Sequence, residues 1–140
     1  MEMSDAKILI ADDGRVMRLV LSNRLKDEGY EILQAENGRE AVNLIEAHGD
    51  IDLVVLDVNM PEMSGIEALK KIRETLSQTR LPIIMATAND EDEDVVRAFE
   101  LGANDFVSKP INFPVLMARV ITQLKLKRAM EELERLANRD

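Results

Sequence analysis

The sequence has no cysteine, which excludes a disulfide framework and any thiolate-bound metal. No run approaches the roughly 18 consecutive apolar residues that a membrane span requires. The opening stretch MEMSDAKILI has neither the basic region nor the long apolar segment of a signal peptide. Positive charge is in deficit: 18 basic residues stand against 27 acidic ones, for a net charge of -9. That balance argues against direct, non-specific contact with nucleic acid, which needs a basic face. Internal repeats, low-complexity segments and a glycine-rich phosphate loop are missing too. These absences leave a cytoplasmic protein, without membrane or nucleic acid among its direct partners, whose acidic surface favours cations.

What is present fits one globular domain. The 140 residues are 46% hydrophobic and 32% charged, enough apolar material for a sizeable core. Short apolar runs alternate with helical stretches. KILIA (7–11), YEILQA (30–35), DLVVL (52–56), LPIIMAT (81–87) and NDFVS (104–108) read as strands, and continuous apolar runs suit strands buried on both faces. Between them, residues 15–28 carry Val16, Leu19, Val20 and Leu25, with Gly29 as a stop. Asn37 with Glu40, and Ser64 with Glu67, read as capping pairs. The first opens a helix carrying Val42 and Ile45, the second one carrying Leu69, Ile72 and Leu76. The acids from Asp90 to Asp94 match a helix start, where negative charge is favoured, and Gly102 ends that helix. Asn112 opens the last helix, with Pro114 in its first turn.

The order is therefore βαβαβαβαβα: an α/β, doubly wound, five-stranded parallel sheet with right-handed crossovers and helices on both faces. It spans residues 5 to about 124. In the last helix Phe113, Leu116, Met117, Val120, Ile121 and Leu124 form a stripe for the sheet. Beyond it Leu126, Met130, Leu133 and Ala137 are spaced four, three and four apart, the rhythm of a coiled-coil seam. The same segment reads equally as a frayed terminal helix.

In such sheets ligands bind outside the carboxyl ends of the strands. The first strand ends at Asp12 and Asp13, the third at Asp57, the fourth at Thr87 and the fifth at Lys109. Taken singly, each has an ordinary explanation: a helix cap, a turn residue, a strand threonine, a surface lysine. Taken jointly, converging carboxylates repel one another unless a cation joins them. Oxygen ligands without His or Cys select Mg2+ or Mn2+. Acids, a metal, a hydroxyl and a lysine suit phosphoryl transfer onto a carboxylate, with Asp57 as the nucleophile. Pro110 makes the Lys109–Pro110 bond a candidate for a cis peptide.

At this point the chain resembles the receiver domain of two-component response regulators, the CheY-like superfamily. The likeness spans residues 6 to about 124. It rests on ILIADD with Arg18 downstream, LVVLDVNMPEMSG, PIIMATA and GANDFVSKP. The resemblance implies a flavodoxin-like sheet of order 2-1-3-4-5 with five helices, the last one extended. It implies that Asp57 is the phosphoacceptor, and that Asp12 and Asp13 are the metal acids, with Asp13 the direct ligand. It makes the Asn59 backbone carbonyl a further ligand, Thr87 the switch hydroxyl and Lys109 the phosphate-binding lysine. Phe106 matches the aromatic switch position, and it reads equally as a core aromatic. Gly14 and Asn89 stand at positions that vary in the family and bear on the lifetime of the phosphoryl group.

The resemblance further implies a regulatory domain rather than an enzyme, beyond Mg2+-dependent self-phosphorylation and self-dephosphorylation. Its partners would be a histidine kinase or histidine phosphotransfer protein, and a second copy of itself, a homodimer formed on activation. The face made by the fourth helix, fifth strand and last helix would change shape. LERLANRD (133–140) resembles the lead into diguanylate cyclase domains of the GGDEF type. That implies a receiver at 5–124 and a helical linker at 125–140 leading to an output domain that this chain does not contain. Two rival families demand other residues. Haloacid-dehalogenase-like phosphatases need a second aspartate where Asn59 stands. Flavodoxin-type modules need a hydroxyl- and glycine-rich loop where ADDGRVMR offers acids.

Overall fold

The computed structural model describes residues 5–88 and 92–138. The elements run β1 (Lys7–Ala11), α1 (Arg15–Asp27), β2 (Glu31–Ala35), α2 (Gly38–Ala47), β3 (Leu53–Asp57), α3 (Gly65–Arg73), β4 (Ile83–Thr87), α4 (Asp92–Glu100), β5 (Asp105–Ser108) and α5 (Phe113–Ala137). All strand pairs are parallel and the sheet order is β2-β1-β3-β4-β5. The doubly wound arrangement expected from the alternation is the one observed. Among the described residues, no helix is long and apolar enough to cross a membrane.

Alternation along each strand builds two cores. Leu9, Val54, Leu56, Ile83 and Met85 face one side, where Ala41, Val42 and Ile45 of α2 and Ala68, Leu69 and Ile72 of α3 cover them. Ile8, Ile10, Leu53, Val55 and Ile84 face the other, under Leu21 and Leu25 of α1 and Leu116, Val120 and Leu124 of α5. The continuous apolar runs of β1, β3 and β4 are thus explained: both faces are covered. β2, at the sheet edge, is only half-buried over Ile32–Gln34.

Capping sets the helix starts. Asn37 accepts the Glu40 N–H, Ser64 and Glu67 form a reciprocal capping box, and Asn112 accepts the Val115 N–H. The third helix is shorter than expected, ending at Arg73, so Leu76 packs from the turn beyond it. The acids Asp90 and Glu91, together with Asn89, lie outside the described residues.

Of the four apolar residues that marked α1 in the sequence, only Leu25 is buried. Val16 is 76% exposed, and Leu19 and Val20 are exposed as well, while the helix buries Leu21, Ser22 and Leu25. At 3.6 residues per turn, Leu25 lies roughly opposite Val16, Leu19 and Val20. The four residues never shared a face, and the sheet selects the one with Leu25.

Helix α5 continues without a break through Ala137. Its sheet-facing stripe is buried as expected at Phe113, Leu116, Val120 and Leu124, with Met117 and Ile121 half-buried. Past Leu124 the apolar residues Leu126, Met130 and Leu133 are exposed.

Candidate functional site

The order β2-β1-β3-β4-β5 makes β1, β3 and β4 neighbours and puts β5 beside β4. Their carboxyl ends deliver Asp12, Asp57, Thr87 and Lys109 to one crevice. Asp57 is the last residue of β3, paired in register with Ala86, one residue before Thr87. The Lys109 N–H donates to the Thr87 carbonyl at 2.8 Å. The Lys109–Pro110 bond is cis.

Asp12, Asp57 and Thr87 are buried, while Asp13 is exposed. One carboxylate oxygen from each of Asp12, Asp13 and Asp57 lies within 4.8 Å of the others. Lys109 Nζ sits between two of them, 2.8 Å from Asp12 Oδ2 and 3.2 Å from Asp57 Oδ2. Burial drives the Asp57 carboxyl up to about 6, with the nearby Asp12 charge adding to the effect and Lys109 opposing it. Burial alone would lower Lys109, but its hydrogen bond to Asp12 and the charge of Asp57 outweigh it and hold the ammonium above its usual value.

The loop after Asp57 is braced from outside the strand. Gly65 donates its N–H to the Val58 carbonyl, and a Cβ on Gly65 would lie 2.0 Å from the Asp57 carbonyl oxygen. Only glycine lets α3 start that close to the strand end. Gly38 does the same from α2: its N–H reaches the Met63 carbonyl at 3.1 Å, where a Cβ would collide at 2.2 Å. Asn59 donates its backbone N–H to Asp57 Oδ1 at 3.3 Å. The sequence reading did not anticipate the Gly38 brace. Asn37 with Glu40 signalled a helix start beside it and nothing more.

Asp12 is held on every side. Its N–H reaches the Ala35 carbonyl, Oδ1 accepts the Gly14 N–H, and its carbonyl accepts Arg18 Nη1 at 2.8 Å. Phe106 is half-buried and meets Phe99 of α4 edge-on, with ring centroids 6.3 Å apart.

The donor set suits a hard divalent cation. All the candidate ligand atoms are oxygens, no imidazole or thiolate is near, and the single ammonium beside the three carboxylates pairs with two of them, Asp12 and Asp57. Among the described residues, this is the one cluster of three or more acidic, histidine or cysteine side chains with that spacing.

The chain resembles known proteins in sequence and fold. The family model for the response regulator receiver domain matches residues 8–121. The uncharacterized transcriptional regulatory protein YkoG of Bacillus subtilis (strain 168) is 40% identical over 123 residues, covering 88% of this chain and 53% of YkoG. A solved structure of a probable two-component system response regulator/GGDEF domain protein superposes with a TM-score of 0.84 at 31% identity, covering 89% of this chain and 51% of that one. A chain of the CheX-CheY-BeF3-Mg+2 complex from Borrelia burgdorferi superposes at 0.78 with 32% identity, covering 84% of this chain and 87% of that one. The chain thus spans about half the length of YkoG and of the GGDEF-containing structure.

Proposed function

The chain belongs to the response regulator receiver domain family of two-component systems, and from that premise we propose that Asp57 is the residue that accepts the phosphoryl group. The observation that carries this is the cluster itself: a buried Asp57 against Asp12, with Lys109 within 3.2 Å of both. A receiver is a regulatory domain rather than a catalytic one, so the reaction serves as a signal.

In the proposed step an Asp57 carboxylate oxygen attacks the phosphorus of a phosphohistidine. The O–P bond forms as the P–N bond breaks, and the imidazole leaves and takes up a proton. Asp12, Asp13, Asp57 and the Asn59 carbonyl would hold Mg2+, or Mn2+, which when bound offsets the charge of the phosphoryl oxygens. Lys109, already 3.2 Å from Asp57 Oδ2, pairs with a phosphoryl oxygen. Thr87, at the end of the neighbouring strand, donates its hydroxyl to another.

The donor is a histidine kinase or a histidine phosphotransfer protein. The exposed Val16, Leu19 and Val20 of α1, beginning three residues after Asp13, offer it an apolar resting face. The response lies across α4, β5 and α5. Helix α4 buries little beyond Ala98, leaves Val96 and Phe99 exposed, and meets Phe106 through Phe99 alone among the aromatic contacts described. A helix so lightly held is one that new contacts at Thr87 can shift. Exposed Leu126, Met130 and Leu133 on α5 support a homodimer seam in residues 125–140 that carries the change to an output domain. The LERLANRD segment and the GGDEF-containing neighbour favour a diguanylate cyclase output.

The test is acid-labile labelling by a small phosphodonor in Mg2+. Wild-type protein takes up one phosphoryl group and Asp57→Asn takes up none. Unchanged labelling of the variant would reject the assignment.

A further inference from the structure

We infer that Arg18 is a positioning residue for the metal-binding acids, acting through the peptide plane that joins Asp12 to Asp13. The inference rests on the receiver chemistry proposed above. Among the described residues, no hydrogen bond or ion pair holds the exposed Asp13 carboxylate. Its position is therefore set by the backbone it hangs from. The carbonyl of Asp12 and the amide of Asp13 share one rigid plane, so anchoring the carbonyl oxygen fixes where Asp13 starts.

Arg18 provides that anchor. Its Nη1 donates to the Asp12 carbonyl at 2.8 Å and its Nε donates to Gln34 Oε1 on β2 at 3.2 Å. The guanidinium thus ties the turn after β1 to the neighbouring strand, from a helix whose first bond runs from the Arg18 N–H to the Gly14 carbonyl. Of the other bonds at Asp12, its N–H to the Ala35 carbonyl holds the preceding peptide plane, and those from Gly14 to Oδ1 and from Lys109 to Oδ2 hold its side chain; none reaches the plane that joins Asp12 to Asp13. A planar fork reaches two acceptors on different elements at once, whereas an ammonium is a point charge on a flexible stem. Arg18 touches neither carboxylate, so its effect on the metal passes through the backbone.

Mg2+ affinity of the intact protein, measured calorimetrically in wild type, Arg18→Met and Arg18→Lys, tests this, with the unfolding midpoint of each taken without metal. Arg18→Met should bind Mg2+ about tenfold or more weakly, the range found when outer-shell partners of metal ligands are removed. Arg18→Lys keeps the charge and loses the fork, so it should recover only part of the affinity. Methylguanidinium at a non-denaturing concentration should restore binding to Arg18→Ala, which a general loosening of the fold would not allow. Wild-type affinity in a folded Arg18→Met overturns the inference. If that variant does not fold, wild-type affinity in Arg18→Lys overturns it equally. A wild-type protein that binds no Mg2+ is a different result: it overturns the receiver reading itself, and the inference with it.

Discussion

The two ends of the sheet use the same chemical groups to opposite effect. At the carboxyl end, two buried aspartates share one lysine beside a third, exposed aspartate, and Asp57 is pushed up to about 6. At the amino end, Lys7 reaches Asp50 at 2.8 Å and Glu31 at 3.3 Å, while Lys127 reaches Asp52 at 3.0 Å and Glu131 at 3.4 Å. Asp52 also accepts the Lys7 backbone N–H, so the root of the α5 extension is tied to the sheet. There the hydrogen bond from Lys7 holds the exposed Asp50 below its usual range. Pairing and water relax one end, and burial with too few cations keeps the other tense. The tense end is the one suited to take up a cation and a phosphoryl group.

Three substitutions would break or sharpen this contrast. The largest stability effect should come from Lys109→Met, which leaves Asp12 and Asp57 buried without their cation. Removing one partner of a buried pair costs about 3 kcal/mol, read as a drop in urea unfolding free energy at neutral pH without metal. A change too small to resolve would show that the acids are less desolvated than the geometry implies.

Next comes Asp57→Asn, which should stabilise the metal-free protein at pH 7.5 by on the order of 2 kcal/mol. The sign follows from the raised carboxyl: the folded state holds its proton up to about pH 6, while an unfolded aspartate loses it near pH 4. The Asp57 contribution is therefore complete below about pH 4 and is lost as the pH rises through 6. The gain from asparagine should shrink as the pH falls toward 4, and a gain that stays flat with pH would refute the assignment.

The smallest effect belongs to the other end. Lys127→Met breaks a half-buried pair and should cost about 1 kcal/mol, with labelling of Asp57 and Mg2+ affinity unchanged. A fall in Mg2+ affinity would mean the two ends are coupled more tightly than their separate networks suggest.

Much of the fold was legible from local physics. Strand runs, the caps at Asn37, Ser64 and Asn112, and the Phe113–Leu124 stripe each depend on neighbours in sequence, and the structure reproduces them. The buried face of α1 was not legible from its apolar residues, because Leu25 lies roughly opposite Val16, Leu19 and Val20 and only the sheet decides in favour of Leu21 and Leu25. The Gly38 brace and the Arg18 anchor were invisible for a different reason. Each links residues brought together by packing, Gly38 to Met63 and Arg18 to Gln34, and no local pattern announces such a pair.

By itself the sequence determined which groups end each strand: Asp12 and Asp13, Asp57, Thr87 and Lys109 follow directly from where the apolar runs stop. Whether they meet is a matter of strand order. With β1, β3 and β4 side by side, carboxylates 45 positions apart in the chain come within one cation's reach. The rise at Asp57 belongs to the tertiary structure as well. A carboxyl resists ionisation only where folding has removed its water and supplied fewer positive charges than negative ones, and both conditions are properties of the packed crevice.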